Sequence, residues 1–353
     1  MTVYFIHFLL LLVYVAIYTV APRTKTTRIL FISVCFLQTF LLYALRSPAV
    51  GTDTAPMAMD YVISFMNFSH KAPLYQLLRN IFQFIISQPQ GYMVMCGLLI
   101  IFGTAYYIYS NSKNMILSTF LFFSLYFFFF SMNGARQSIA IILGAFSLSC
   151  IWKQQKLAAV LLLISAIGIH NTAILLTPFL ALLFIHSIPR RRAFLCLYGL
   201  MLVAFTPLMH LFISVFTDYA FYITGGSAFE VGQNRKILLT VFYACVLCIG
   251  ISIYYRTKRN NSGPENLQWE ILLSCLFNAV IIGILALRSI LFTRLEYYFS
   301  FTMILFIPLI LSKFKQKNRL WINFAVYLLL AMPGIVQFMS NAGEILPYTF
   351  FWE

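Results

Sequence analysis

Charge is what this sequence has least of. Only 9% of its 353 residues are charged, and just nine are Asp or Glu, against about 25% charged residues in an ordinary soluble domain. A soluble globular protein is therefore excluded. Cysteine is also scarce and odd in number: the seven thiols lie within or at the ends of apolar runs, so they supply no disulfide framework. Cys245 and Cys248 form a C-x-x-C with no histidine or carboxylate beside them and read as packing residues. With no Asp-x-Asp cluster and no His-rich tract, neither a metal nor a cofactor is expected. No basic segment precedes the first apolar run, which reads as a membrane span and not as a cleaved signal peptide.

What the chain does have is apolar length. Its residues are 61% hydrophobic and its mean hydropathy is +0.88, arranged as runs of spanning length between short basic clusters. The fold class expected is all-α: a single integral membrane domain over 1–353, a bundle of about 12 transmembrane helices. The spans are placed near 3–20, 29–45, 91–109, 115–132, 136–151, 157–169, 172–187, 193–213, 237–255, 270–291, 297–311 and 320–339.

The net charge of +15 would suggest nucleic acid in a soluble protein. Here it is mostly topology. Alternate connections hold Arg23, Lys25 and Arg28; Lys113; Lys153 and Lys156; Arg190 to Arg192; Arg256, Lys258 and Arg259; and Lys313, Lys315, Lys317 and Arg319. By the positive-inside rule that side is cytoplasmic, both termini face outward, and no nucleic-acid partner is expected.

The outer side carries the distinctive residues. The longest hydrophilic stretch, 46–90, holds Arg46, Gly51-Thr52-Asp53 and, over 73–87, an amphipathic pattern opened by Pro73, read as a helix on the outer interface. Leu157 to His186 has basic clusters at both ends, so it must be a helical hairpin turning at Gly168-Ile-His170-Asn171-Thr172. Its first arm is too short to cross the hydrocarbon, which puts His170 below the outer surface, where an ionisable group reads as functional; a histidine that merely closes the turn is the bland alternative. Arg136, in Asn133-Gly134-Ala135-Arg136-Gln137, is expected in the first turn of a helix, where a cation opposes the helix dipole and an external anion would remove the conflict. Arg288 and Arg294-Leu-Glu296-Tyr297-Tyr298 end two late spans; Arg294 is expected to share a helical face with Tyr297 and Tyr298, or either arginine to pair with Glu296 in an aromatic belt.

Arginine suits phosphate because its planar fork donates paired hydrogen bonds and stays charged. The obvious membrane-borne anion is a lipid diphosphate; arginines aimed at a leaving diphosphate would stabilise charge that grows in the transition state, in place of a metal. A sugar hydroxyl attacking in that reaction needs a base, with His170 and Asp53 as candidates.

The order Arg46…Gly51-Thr52-Asp53, Ala135-Arg136-Gln137-Ser138-Ile139-Ala140, Gly168-Ile169-His170-Asn171-Thr172-Ala173 and Arg294 to Phe299 resembles the EpsG-like branch of Wzy-type O-antigen and exopolysaccharide polymerases. A Thr stands at 172 where Ser is commoner in that pattern. The resemblance implies a metal-independent glycosyltransferase of the multispanning, glycosyltransferase-C-like class in the bacterial inner membrane. It would act at the periplasmic face on undecaprenyl-diphosphate-linked repeat units as both donor and acceptor, for O-antigen or a related polysaccharide. It also implies membrane lipids, a chain-length regulator and a flippase of the same pathway as partners. Carried over, Arg46, Arg136 and Arg294 grip the diphosphate, with Arg288 beside them; His170 and Asp53 orient or deprotonate the acceptor; Thr52, Gln137 and Tyr297 support them. The rival readings are an O-antigen ligase, for which the 217–236 loop is short, a lipid-linked oligosaccharide flippase or exporter, for which no repeated halves are visible, a membrane acyltransferase, and a structural scaffold.

Overall fold

The computed structural model describes residues 1–64, 72–215, 233–257, 264–287, 290–314, 319–341 and 343–353. Among them the chain is all-α, and the only strand-like pairing is an isolated bridge between Arg46 and Phe350. The helices are α1 (Thr2–Val20), α2 (Lys25–Ala44), α3 (Thr54–Ile63), α4 (Pro73–Ile85), α5 (Gln90–Gly97), α6 (Gly103–Asn111), α7 (Met115–Ser124), α8 (Phe127–Asn133), α9 (Ala135–Trp152), α10 (Lys156–Ile169), α11 (Ile188–Val215), α12 (Gln233–Thr257), α13 (Pro264–Ala286), α14 (Ile290–Ser300), α15 (Met303–Leu311) and α16 (Arg319–Met339). A π-helical turn, Leu98–Phe102, joins α5 to α6, and a 3₁₀ helix, Asn171–Leu183, follows α10.

Six helices among the described residues are long and apolar enough to cross a membrane, or eight if the bent pairs α7–α8 and α14–α15 each count as one span. The twelve spans expected from hydropathy are not reached on this measure. Those expected at 157–169, 172–187 and 320–339 are instead represented by shorter apolar helices, Lys156–Ile169, Asn171–Leu183 and Ala325–Met339. Multi-pass membrane character is nonetheless plain.

Backbone contacts divide the chain into two compact units: residues 1–143, 164–171 and 322–353 form the first, and 144–163 with 172–321 the second. The core of the first is aromatic. Tyr4 meets Phe129, Phe338 and Tyr348 edge-on at centroid distances of 5.4–5.5 Å, a geometry that matches ring edge to ring face. The sharp bend between α7 and α8, 48°, falls where Tyr126 adopts a left-handed φ of 69°, an uncommon conformation for a bulky residue. Gly334 of α16 lies against this bend; a Cβ there would stand 2.6 Å from the Ser124 carbonyl oxygen, so only glycine lets the two backbones approach.

In the second unit, Ser147 of α9 donates to the Ala159 carbonyl of α10 at 2.7 Å, while Gly144, one turn earlier on α9, is packed by Leu176 of the 3₁₀ helix. Both arms therefore run beside α9, and the chain reverses at His170, as the charge pattern requires. The second arm is 3₁₀ and not α. Pro178 in its interior cannot donate and crowds the carbonyl four residues back. A 3₁₀ helix rises about 2.0 Å per residue, so thirteen residues climb about 26 Å where an α-helix would climb about 20 Å.

The other end of the second unit is pinned by a buried ion cluster. Arg191 of α11 binds Glu270 of α13 at 2.8 Å, Arg192 approaches the same carboxylate at 3.7 Å, and Tyr254 of α12 donates to it at 2.9 Å.

Candidate functional site

The first unit gathers most of the motif residues at one end, and the segment 46–54 explains how. Gly51 has a φ of +102°, and a Cβ there would lie 2.7 Å from Thr54 Oγ1 and 2.9 Å from Asn133 Oδ1; glycine is required on both counts. The turn it allows brings the segment onto the C-terminal end of α8. Thr54 Oγ1 donates to the Met132 carbonyl at 2.9 Å, Thr52 Oγ1 donates to Asn133 Oδ1 at 3.0 Å, and Tyr43 donates to the Ser131 carbonyl at 2.8 Å. Asp53 stands at the N-terminal end of α3, half-buried and without a side-chain cap bond; its charge there suits the positive end of the helix.

Arg46 behaves differently from the expectation. It is completely buried, donates from Nη2 to the Met132 carbonyl at 3.1 Å, and lies 3.9 Å over the Tyr43 ring. Nε and Nη1 have no partner among the described residues. Residues 343–353 cover it: Ser47 N–H donates to the Thr349 carbonyl at 2.9 Å, Phe351 N–H to the Leu45 carbonyl at 3.0 Å, and Gly51 N–H to the Glu344 carbonyl at 3.0 Å. In this arrangement Arg46 reaches no exposed face. Its hydrogen bond goes to Met132 near the end of α8, three residues before α9 begins.

Arg136 is the half-exposed arginine of this unit, in the first turn of α9 and 5.3 Å over the ring of Tyr75 on α4. Gln137, its neighbour, is buried. The α10 turn approaches from another direction: a Cβ at Gly168 would lie 3.1 Å from Leu74, so the turn carrying half-buried His170 rests on the first turn of α4. Tyr75 is therefore a residue that sequence reasoning missed. The signal was present in its position, two residues after the helix-opening Pro73. Burial pushes its hydroxyl well above the ordinary phenol range, with the Arg136 guanidinium pulling partly back, so it is neutral and has both a proton to donate and lone pairs to accept with.

The amphipathic helix expected over 73–87 is present over Pro73–Ile85, but its orientation is the unexpected part. Tyr75, Gln76, Arg79, Asn80 and Gln83 are buried, while Leu77, Ile81, Phe84 and Ile85 are exposed. The polar face turns inward. Arg79 binds the Ser64 carbonyl at 2.7 Å and Asp60 at 3.4 Å, and Gln83 Nε2 donates to the Val62 carbonyl at 2.9 Å, which ties α4 to α3.

Arg294 and Tyr297 belong to the second unit. Arg294 is exposed, whereas Glu296, Tyr297 and Tyr298 are buried, so the arginine does not share the tyrosines' face in the way the spacing suggested. Thr172 donates to the Tyr298 hydroxyl at 3.0 Å, linking the start of the 3₁₀ helix to α14. The Glu296 carboxyl faces Tyr243 of α12 and Ser300. Arg288, together with most of the 217–236 loop, lies outside the described residues.

These features define a multi-pass, all-helical membrane protein whose first unit collects an arginine, a histidine, an aspartate and a buried polar helix face at one end. The sequence pattern of the EpsG family matches residues 28–350, nearly the whole chain. The chain belongs to the EpsG family, as its motifs suggested, and this family points to a membrane polysaccharide-polymerase type of function. No curated protein and no solved structure matches it.

Proposed function

We propose that this protein is a glycosyltransferase that lengthens a polysaccharide by joining undecaprenyl-diphosphate-linked repeat units at the periplasmic face of the bacterial inner membrane. The observation that carries the reading is Arg136: a half-exposed guanidinium in the first turn of α9, held over Tyr75 beside the turn of His170. A cation at a helix N-terminus is electrostatically unfavourable alone and favourable once an anion lies against both.

In the reaction the acceptor sugar hydroxyl attacks the anomeric carbon of the donor glycan. The bond from that carbon to the diphosphate oxygen breaks, and the lipid diphosphate leaves with the bonding pair. The hydroxyl proton passes to His170 or Asp53. Arg136 neutralises the charge that grows on the leaving oxygen. Gln137 and Thr52 hold these groups in place. Arg46 supports the reaction indirectly, through the end of α8.

The test is the polysaccharide ladder on a gel from a strain lacking the gene, complemented with wild type or Arg136→Ala at equal abundance. Polymer restored by wild type alone supports the reading. A single repeat unit converted to polymer equally well by Arg136→Ala sinks it, and loss of even the first repeat without the gene points to ligation or flipping instead.

A further inference from the structure

A helix lying on the surface of a soluble protein buries its apolar side. The helix α4 does the reverse: Leu77, Ile81, Phe84 and Ile85 are 48%, 49%, 85% and 70% exposed. Its polar side is sealed inward, with Tyr75 2%, Asn80 8% and Gln83 6% exposed. Such an inversion fits a helix with lipid outside and something polar inside.

The inward polar groups are not all used by the protein. The Tyr75 hydroxyl, Asn80 Nδ2 and Gln83 Oε1 are buried without a hydrogen-bond partner among the described residues, although buried polar atoms are overwhelmingly paired. One is a donor, one an acceptor and one both. Beyond Tyr75, which lies under Arg136, the face is close to neutral, because the helix's own cation, Arg79, is matched by Asp60 at 3.4 Å. A neutral surface offering mixed donors and acceptors does not select an anion. It suits a ligand that is itself dense in hydroxyls. The same helix touches the rest of the site at its first turn, where Leu74 meets Gly168 and Tyr75 lies under Arg136.

We propose that the inward face of α4, through Tyr75, Asn80 and Gln83, is the glycan-binding wall of this site and determines which sugar is accepted next to Arg136. This rests on the polymerase reading above. It divides the labour: Arg136 holds the charged diphosphate, and α4 reads the uncharged sugar.

The experiment uses the full-length protein in detergent and two probes: inorganic pyrophosphate, and the oligosaccharide released by mild acid from the lipid-linked pool of the same cells. Tyr75→Phe removes one oxygen and leaves the ring under Arg136; Asn80→Leu replaces the amide with an isosteric apolar group. Ile81→Ala, on the opposite face, is the control. The expected result is at least tenfold weaker oligosaccharide binding for both variants, with pyrophosphate binding unchanged, and wild-type behaviour for Ile81→Ala. In a turnover assay KM for the acceptor rises while kcat holds. Oligosaccharide affinity unchanged in both variants overturns the proposal and leaves the polymerase reading standing if Arg136→Ala still abolishes polymer. Pyrophosphate binding without any oligosaccharide binding to wild type overturns it too. Wild type that binds neither probe, in a strain whose polymer is unaffected by loss of the gene, overturns both.

Discussion

Arg46 donates to the carbonyl oxygen of Met132, 86 residues further along the chain, at 3.1 Å. This one bond ties the first motif of the sequence to the launch point of the second, because α8 ends at Asn133 and α9, with Arg136 in its first turn, starts at Ala135. Replacing Arg46 with Ala removes a charge-assisted hydrogen bond and the ring contact with Tyr43, and is expected to cost about 2–4 kcal/mol. Thermal unfolding of the solubilised protein checks this, and Arg46→Lys is expected to recover little, since an ammonium has no plane to stack on the Tyr43 ring while it donates to Met132.

Gly51→Ala is expected to be worse tolerated than most surface changes. The left-handed backbone at +102° penalises any side chain, and the new methyl would collide with Thr54 and Asn133. A loss of about 1–3 kcal/mol, seen as lower abundance in the membrane, is the expected outcome; an unchanged melting profile would contradict it.

For the chemistry, His170→Ala at normal abundance is expected to lower polymer formation by about 10²–10⁴-fold if the imidazole takes the acceptor proton. Asp53→Asn then has a small effect. The reverse ranking of the two variants, read from the same turnover assay, would assign the base to Asp53.

The ion cluster of the second unit makes a separate prediction. Glu270 is 3% exposed at its side chain and Arg191 10%, so Glu270→Gln leaves a buried guanidinium without its counter-charge and is expected to cost about 3–5 kcal/mol. The double variant Arg191→Met with Glu270→Leu removes both charges together and is expected to be more stable than Glu270→Gln alone. Melting curves of the three proteins decide it.

Much of the architecture was legible in the sequence because apolar runs and basic clusters are direct records of the membrane. The hairpin at His170 followed from charge alone. The count of about twelve spans is not confirmed: six to eight helices among the described residues are long and apolar enough, and the short 3₁₀ arm and the bend at Tyr126 show why length alone counts fewer. For the site, the helix over 73–85 and its two faces could be read from spacing, but periodicity says only that two faces differ; which one turns inward depends on whether water or lipid lies outside. Tyr75 was hidden by that ambiguity. The burial of Arg46 was illegible for another reason: what covers it comes from residues 343–353, about three hundred positions away and without any local signal for pairing.

That cover also sets an order of assembly. The bridge from Arg46 to Phe350 and the bonds from Ser47 and Gly51 to the segment 343–353 cannot form until nearly all the helices between them have been made and inserted. Contacts of such separation are late and slow. During biogenesis the motif end of the first unit therefore waits, with Arg46 uncovered, through the insertion of the rest of the chain. Variants that weaken the 343–353 cover are expected to betray themselves first as substrates for membrane quality control, before any loss of catalysis by the molecules that mature.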